Sequence, residues 1–111
     1  MKYISRFIEK VVLDSSKTFK IVFLGGPRQV GKTTLLKKIA KYKKFSYVTL
    51  DDLNQRNIAK TDPALFLQQF HLPVIIDEVQ YAPQLFPEIK KIVDQSDKRG
   101  QFWLTGSQQF S

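Results

Sequence analysis

The 111-residue sequence predicts an α/β fold: a parallel sheet with helices on both faces, a three-layer sandwich. Three observations lead there. Four short runs, at Lys20–Leu24, Phe45–Leu50, Pro73–Ile76 and Gln101–Thr105, are rich in β-branched and aromatic residues and lack a solvent-facing polar alternation. Helix-like segments separate them. Each run also closes on polar chemistry, at Gly25-Gly26, Asp51-Asp52, Asp77-Glu78 and Thr105-Gly106-Ser107. Ligands of parallel sheets bind beyond the carboxyl ends of the strands, so these four ends are expected to converge on one edge.

In chain order, Ile4, Phe7, Ile8, Val11 and Val12 recur at helical spacing, which predicts an amphipathic helix over residues 3–14, and Asp14-Ser15-Ser16 breaks it. The first strand follows and ends in glycine. Lys32–Tyr42 is helical by propensity, with Leu35, Leu36 and Ile39 on one face. After the second strand, Asp62-Pro63 is a helix start, with the cap at Asp62 and proline in the first turn of ALFLQQF. The third strand precedes a helix at Pro87–Asp94, and the fourth strand carries Trp103, a core candidate. His71 reads as a loop residue, and Gln80 and Tyr81 as a loop after the third strand. The organisation is one domain over residues 1–111, an N-terminal helix at 1–16 ahead of a core at 20–111.

Composition narrows the chemistry. A hydrophobic share of 42%, with nine Phe, four Tyr and one Trp, supports a real core. No cysteine and one histidine exclude a disulfide framework, a thiolate metal site and a histidine zinc site. No apolar run reaches the roughly 20 residues of a membrane span, and the amphipathic, acid-containing start does not resemble a signal peptide. A cytoplasmic protein is expected. The net charge of +8 is lopsided: residues 1–44 hold twelve Lys/Arg against two acids, and residues 45–111 hold six against eight. Lys37, Lys38, Lys41, Lys43 and Lys44 read as the solvated face of one helix, with a nucleic-acid surface as the competing reading.

The most informative stretch is Gly26-Pro27-Arg28-Gln29-Val30-Gly31-Lys32-Thr33, which satisfies G-x-x-x-x-G-K-[ST] and sits between a strand and a helix. Its glycines permit close backbone approach, and the N–H groups from about Gln29 to Thr34 form an anion nest at a helix N-terminus. Lys32 is positioned to neutralise terminal phosphates, and the Thr33 hydroxyl suits Mg2+. Asp77, at the end of the third strand, is the partner expected to hold Mg2+ through a water. Glu78 is the candidate to orient or deprotonate an attacking water. The acid directly after the Mg2+ aspartate favours a water-using ATPase over a small-molecule kinase. At the end of the fourth strand, Thr105 and Ser107 are both candidates for a γ-phosphate contact.

The stretches GPRQVGKTTLL, YVTLDD, DPALFLQQF, IIDEVQYAP and LTGSQQF, in this order, resemble the N-terminal portion of a widespread prokaryotic group of AAA+-like P-loop ATPases, over nearly the whole length. That resemblance implies a P-loop NTPase sandwich with strand order 5-1-4-3-2. It also implies Gly26–Thr33 as Walker A, Asp77-Glu78 as Walker B, Thr105 or Ser107 as the sensor, and ATP with Mg2+ as ligands. Family members continue beyond the equivalent of Ser111 with a fifth strand, so this chain is expected to be partial. The phosphate-loop strand should then lie at a sheet edge, and nucleotide binding should survive better than hydrolysis. Neither Arg28 nor Arg99 is placed as an arginine finger, and Arg6 and Phe7 are candidates to approach an adenine. The leading reading is an ATPase core that couples nucleotide state to a protein partner or to further copies of itself. Two alternatives stay open: a nucleic-acid-binding module regulated by nucleotide, and an interaction switch without turnover.

Overall fold

Strands and helices alternate in the computed structural model as they do in the sequence pattern; it describes residues 20–24 and 31–106. The described strands are β1 (Ile21–Leu24), β2 (Ser46–Thr49), β3 (Val74–Asp77) and β4 (Phe102–Thr105). The helices are α1 (Lys32–Lys43), α2 (Leu53–Thr61), α3 (Pro63–Gln68) and α4 (Leu85–Asp94), with a 3-10 turn at Val79–Tyr81. All strand pairs are parallel and the order is β1-β4-β3-β2. Among the described residues β1 pairs only with β4, which is the expected order without its fifth strand. The helix read at 3–14 lies outside the described residues.

The period of two along each strand sorts the side chains into two cores. Val22, Ile75 and Trp103 face α1 and pack on Leu36, Ile39 and Ala40. Val48, Val74, Ile76, Phe102 and Leu104 face the opposite layer, where Phe66 of α3 and Leu85 and Ile89 of α4 cover them. Trp103 is core as expected. Its indole N–H donates to the Gly100 carbonyl at 3.0 Å, and its ring stacks on Phe45 with centroids 6.0 Å apart. Satisfying that one polar atom lets a large apolar ring be buried without a desolvation penalty. At the sheet edge Phe23 is 62% exposed and meets Phe86 at 6.2 Å.

Two helices differ from expectation. α2 was not foreseen, because LNQRNIAKT has little apolar periodicity: Leu53 is 69% exposed and Ala59 is its one fully buried residue. The available signal was Asp52, read instead as a strand end, whose carboxylate accepts from the Asn54 N–H at 3.1 Å as an N-cap. α4 begins at Leu85, two residues before Pro87, since proline is tolerated within the first turn of a helix. Asp62 behaves as read. Its carboxylate accepts from the Leu65 N–H at 3.1 Å to start α3, and its own N–H bonds the Ile58 carbonyl to close α2. Asp62→Ala should therefore cost about 1 kcal/mol, the usual value of an N-cap. A urea midpoint indistinguishable from the parent would refute that role.

On α1, Lys37, Lys38 and Lys41 are exposed and Lys43 is partly so, and Lys44, which caps the helix, is exposed as well, a solvated face. Lys41 and Lys43 lie in the last turn, where cations oppose the helix dipole favourably. Among the described residues, no helix is long and apolar enough to cross a membrane.

Candidate functional site

The site forms where α1 meets the carboxyl ends of β3 and β4, on the α1 face of the sheet. Alternation decides its membership. Ile75 faces α1, so Asp77, two residues on, faces α1 as well; Trp103 and Thr105 are related in the same way. Gly31, immediately before α1, has φ 88°, in the left-handed region, with nothing within 4 Å of where a Cβ would stand. Glycine is needed there for backbone conformation rather than for space. That turn starts α1 at Lys32 and aims Lys32 and Thr33 back across the strand ends.

Asp77 is the centre of the cluster and is fully buried. Its Oδ2 accepts from the Thr33 hydroxyl at 3.2 Å and from the Tyr47 hydroxyl at 2.9 Å. Its Oδ1 accepts from the Thr105 hydroxyl, and the Lys32 ammonium lies 4.0 Å from the same oxygen. Hydroxyl donors and a nearby cation compensate the cost of burying a carboxylate. The Tyr47 phenol is shifted upward, by burial first and then by the negative charge of Asp77, so it stays a hydrogen-bond donor at neutral pH. Among the described residues the Lys32 ammonium, itself buried, finds no hydrogen-bond acceptor. A buried ammonium that the described residues leave without an acceptor suits an anion with several oxygens, such as a phosphate chain.

Glu78 leaves the strand with φ 60° and ψ 47°, a left-handed conformation uncommon outside glycine and asparagine. It is 2% exposed. Its N–H donates to the Thr105 oxygen at 3.1 Å, and its Oε1 accepts from the Gln80 amide at 2.8 Å. The Thr105 hydroxyl thus joins the Asp77 carboxylate to the Glu78 backbone. Replacing it with the isosteric Thr105→Val would orphan a buried carboxylate oxygen and a buried N–H. A loss of about 2–4 kcal/mol is expected, from the usual cost of unsatisfied buried groups. Urea denaturation reads it directly, and a loss below about 0.5 kcal/mol would mean that Thr105 does not tie the strand ends.

Gly31, Lys32, Thr33, Asp77, Glu78 and Thr105 are therefore gathered in one place. Gly26, Pro27, Arg28, Gln29, Val30 and Ser107 lie outside the described residues, and Thr34 is exposed in the first turn of α1. Among the described residues no group of three His, Cys, Asp or Glu could cage a metal ion. Thr33 and Asp77 are hard oxygen donors, the set that Mg2+ takes when most of its other ligands are water or phosphate. Two members were missed by sequence reasoning. Tyr47 lies in the middle of a strand, and only the pairing of β2 with β3 reveals its neighbour. Arg56 stacks on the Tyr81 ring at 3.7 Å and donates from Nε to the Leu50 carbonyl at 2.8 Å, bracing the turn after Glu78. Tyr81 and Gln80 thus belong to an ordered turn.

A parallel sheet, a glycine-started helix and an aspartate at the neighbouring strand end together define a P-loop NTPase-like sandwich. The family model described as an AAA domain matches residues 18–111, and the chain belongs to that family. It is 36% identical over 88 residues to an uncharacterized protein of Mycobacterium tuberculosis, and equally to one of Mycobacterium bovis. The match covers 78% of this chain and 20% of each relative. The chain is thus an AAA-type, ATPase-like nucleotide-binding domain that spans about a fifth of the curated relatives it matches.

Proposed function

We propose that the chain binds ATP with Mg2+ and hydrolyses its terminal phosphoanhydride. The observation that carries this reading is the buried Lys32 ammonium, without a hydrogen-bond acceptor among the described residues, beside the Thr33–Asp77 pair. Lys32 binds the β- and γ-phosphate oxygens, and the loop from Gly26 to Thr34 holds them with the backbone N–H groups from about Gln29 onward. Thr33 and Asp77 are the residues that would hold Mg2+, which would neutralise charge on the phosphates. Glu78 accepts the proton of a water whose oxygen attacks the γ-phosphorus as the bond to the β,γ-bridging oxygen breaks, leaving ADP and phosphate. Its buried carboxylate, oriented by Gln80, is suited to hold one water in one direction. Since the Thr105 hydroxyl is engaged by Asp77 and Glu78, Thr105 positions these two residues, and Ser107 is the better candidate for the γ-phosphate contact.

Calorimetric titration of the chain with ATP and Mg2+, followed by a phosphate-release assay, tests both halves. Saturable binding with slow phosphate release is expected. No binding would overturn the nucleotide reading; binding without release would confine it to a nucleotide-binding module.

A further inference from the structure

Resting on that nucleotide reading, we infer that Tyr47 is a positioning residue for the metal-holding carboxylate, so that the benefit of Mg2+ to nucleotide binding depends on a phenol from β2.

The geometry is specific. Tyr47 pairs with Ile75, and Asp77 lies opposite Thr49, so the nearest side chain to Asp77 along β2 is not the one that bonds it. The phenol reaches along the sheet by the length of its ring to place its hydroxyl 2.9 Å from Asp77 Oδ2. Serine or threonine at position 47 would fall short. The ring lies on the α1 face, partly buried, with the Lys37 ammonium 5.8 Å from its centroid. Phenylalanine would keep that packing and lose only the donor.

The two carboxylate oxygens have different partners. Oδ1 is fixed by Thr105, and Oδ2 by Thr33 and Tyr47. Thr33 cannot be the lasting lock on Oδ2, because its hydroxyl oxygen is also the donor suited to the cation. Tyr47 has no such second duty. A carboxylate that holds a metal-bound water has to keep one orientation, and partners that orient such ligands are typically worth 10–100-fold in metal affinity. Tyr47 therefore keeps the rotation of Asp77 when Thr33 serves the cation.

The test is ATP titration of the full chain and of Tyr47→Phe by calorimetry, each in Mg2+ and in EDTA. The readout is the ratio of the two affinities, and urea midpoints are taken alongside. Tyr47→Phe should lower the Mg2+ enhancement by about 10-fold while its affinity in EDTA stays within about twofold of the parent. An unchanged ratio would overturn the inference. So would equal losses in Mg2+ and EDTA, which would make Tyr47 a packing residue of the pocket. A parent chain that binds no ATP in either condition would instead overturn the nucleotide reading itself, and this inference with it.

Discussion

Lys32→Ala is expected to weaken ATP–Mg2+ binding by about 100-fold or more while leaving the fold intact. The size follows from what the ammonium does. It is buried, carries three N–H donors and has no hydrogen-bond acceptor among the described residues, with the Asp77 carboxylate 4.0 Å away. Hydrogen bonds to a charged group are worth about 1.5–3 kcal/mol each, so losing two contacts to phosphate oxygens accounts for at least two decades in Kd. The fold should tolerate the change for the same reason. Among the described residues the ammonium makes no hydrogen bond, and the buried Asp77 carboxylate, although it loses a cation 4.0 Å away, keeps its three hydroxyl donors. Calorimetry should show the loss, and the near-ultraviolet signal of the buried Trp103 should report an unchanged core. Binding by the variant within about threefold of the parent would remove Lys32 from the site.

Glu78→Gln should separate binding from chemistry. The amide is isosteric and its Oε1 can still accept from Gln80, so the turn should persist, including the left-handed backbone at position 78. What disappears is the capacity to take a proton. ATP binding should stay within about twofold of the parent, and single-turnover hydrolysis should fall by about 100- to 10,000-fold, the usual range for a general base. If the parent hydrolyses ATP and the variant matches it, Glu78 is not the base. If both bind ATP and neither turns it over, the chain is a nucleotide-binding module rather than an enzyme.

The candidate site was legible to the degree that its members are neighbours in sequence. Gly31, Lys32 and Thr33 stand together because an anion nest is built from consecutive backbone N–H groups at a helix start, and Asp77-Glu78 stand together at one strand end. The four strands and α1 were readable because burial on both faces and a 3.6-residue period leave strong patterns. α2 was not, since a helix that buries little more than Ala59 has almost no apolar stripe to read. Thr105 and Ser107 are equivalent candidates in the sequence because both hydroxyls follow the same strand, and the engagement of Thr105 with Asp77 and the Glu78 N–H is a tertiary fact that no local pattern encodes.

Sequence alone determined the α/β class, the phosphate-loop motif, the acidic pair and, through resemblance, the strand order. All are matters of local spacing, residue chemistry or pattern. Tertiary structure decided which side chains meet at Asp77. Thr33, Tyr47 and Thr105 lie 44, 30 and 28 residues from it in the chain, and all three converge on one carboxylate. Parallel pairing of β2 with β3 and of β3 with β4 sets that convergence. Register between strands arises from the packing of the whole sheet against its helices, and a single residue of slip in β2 or β4 would turn Tyr47 or Thr105 to the opposite face.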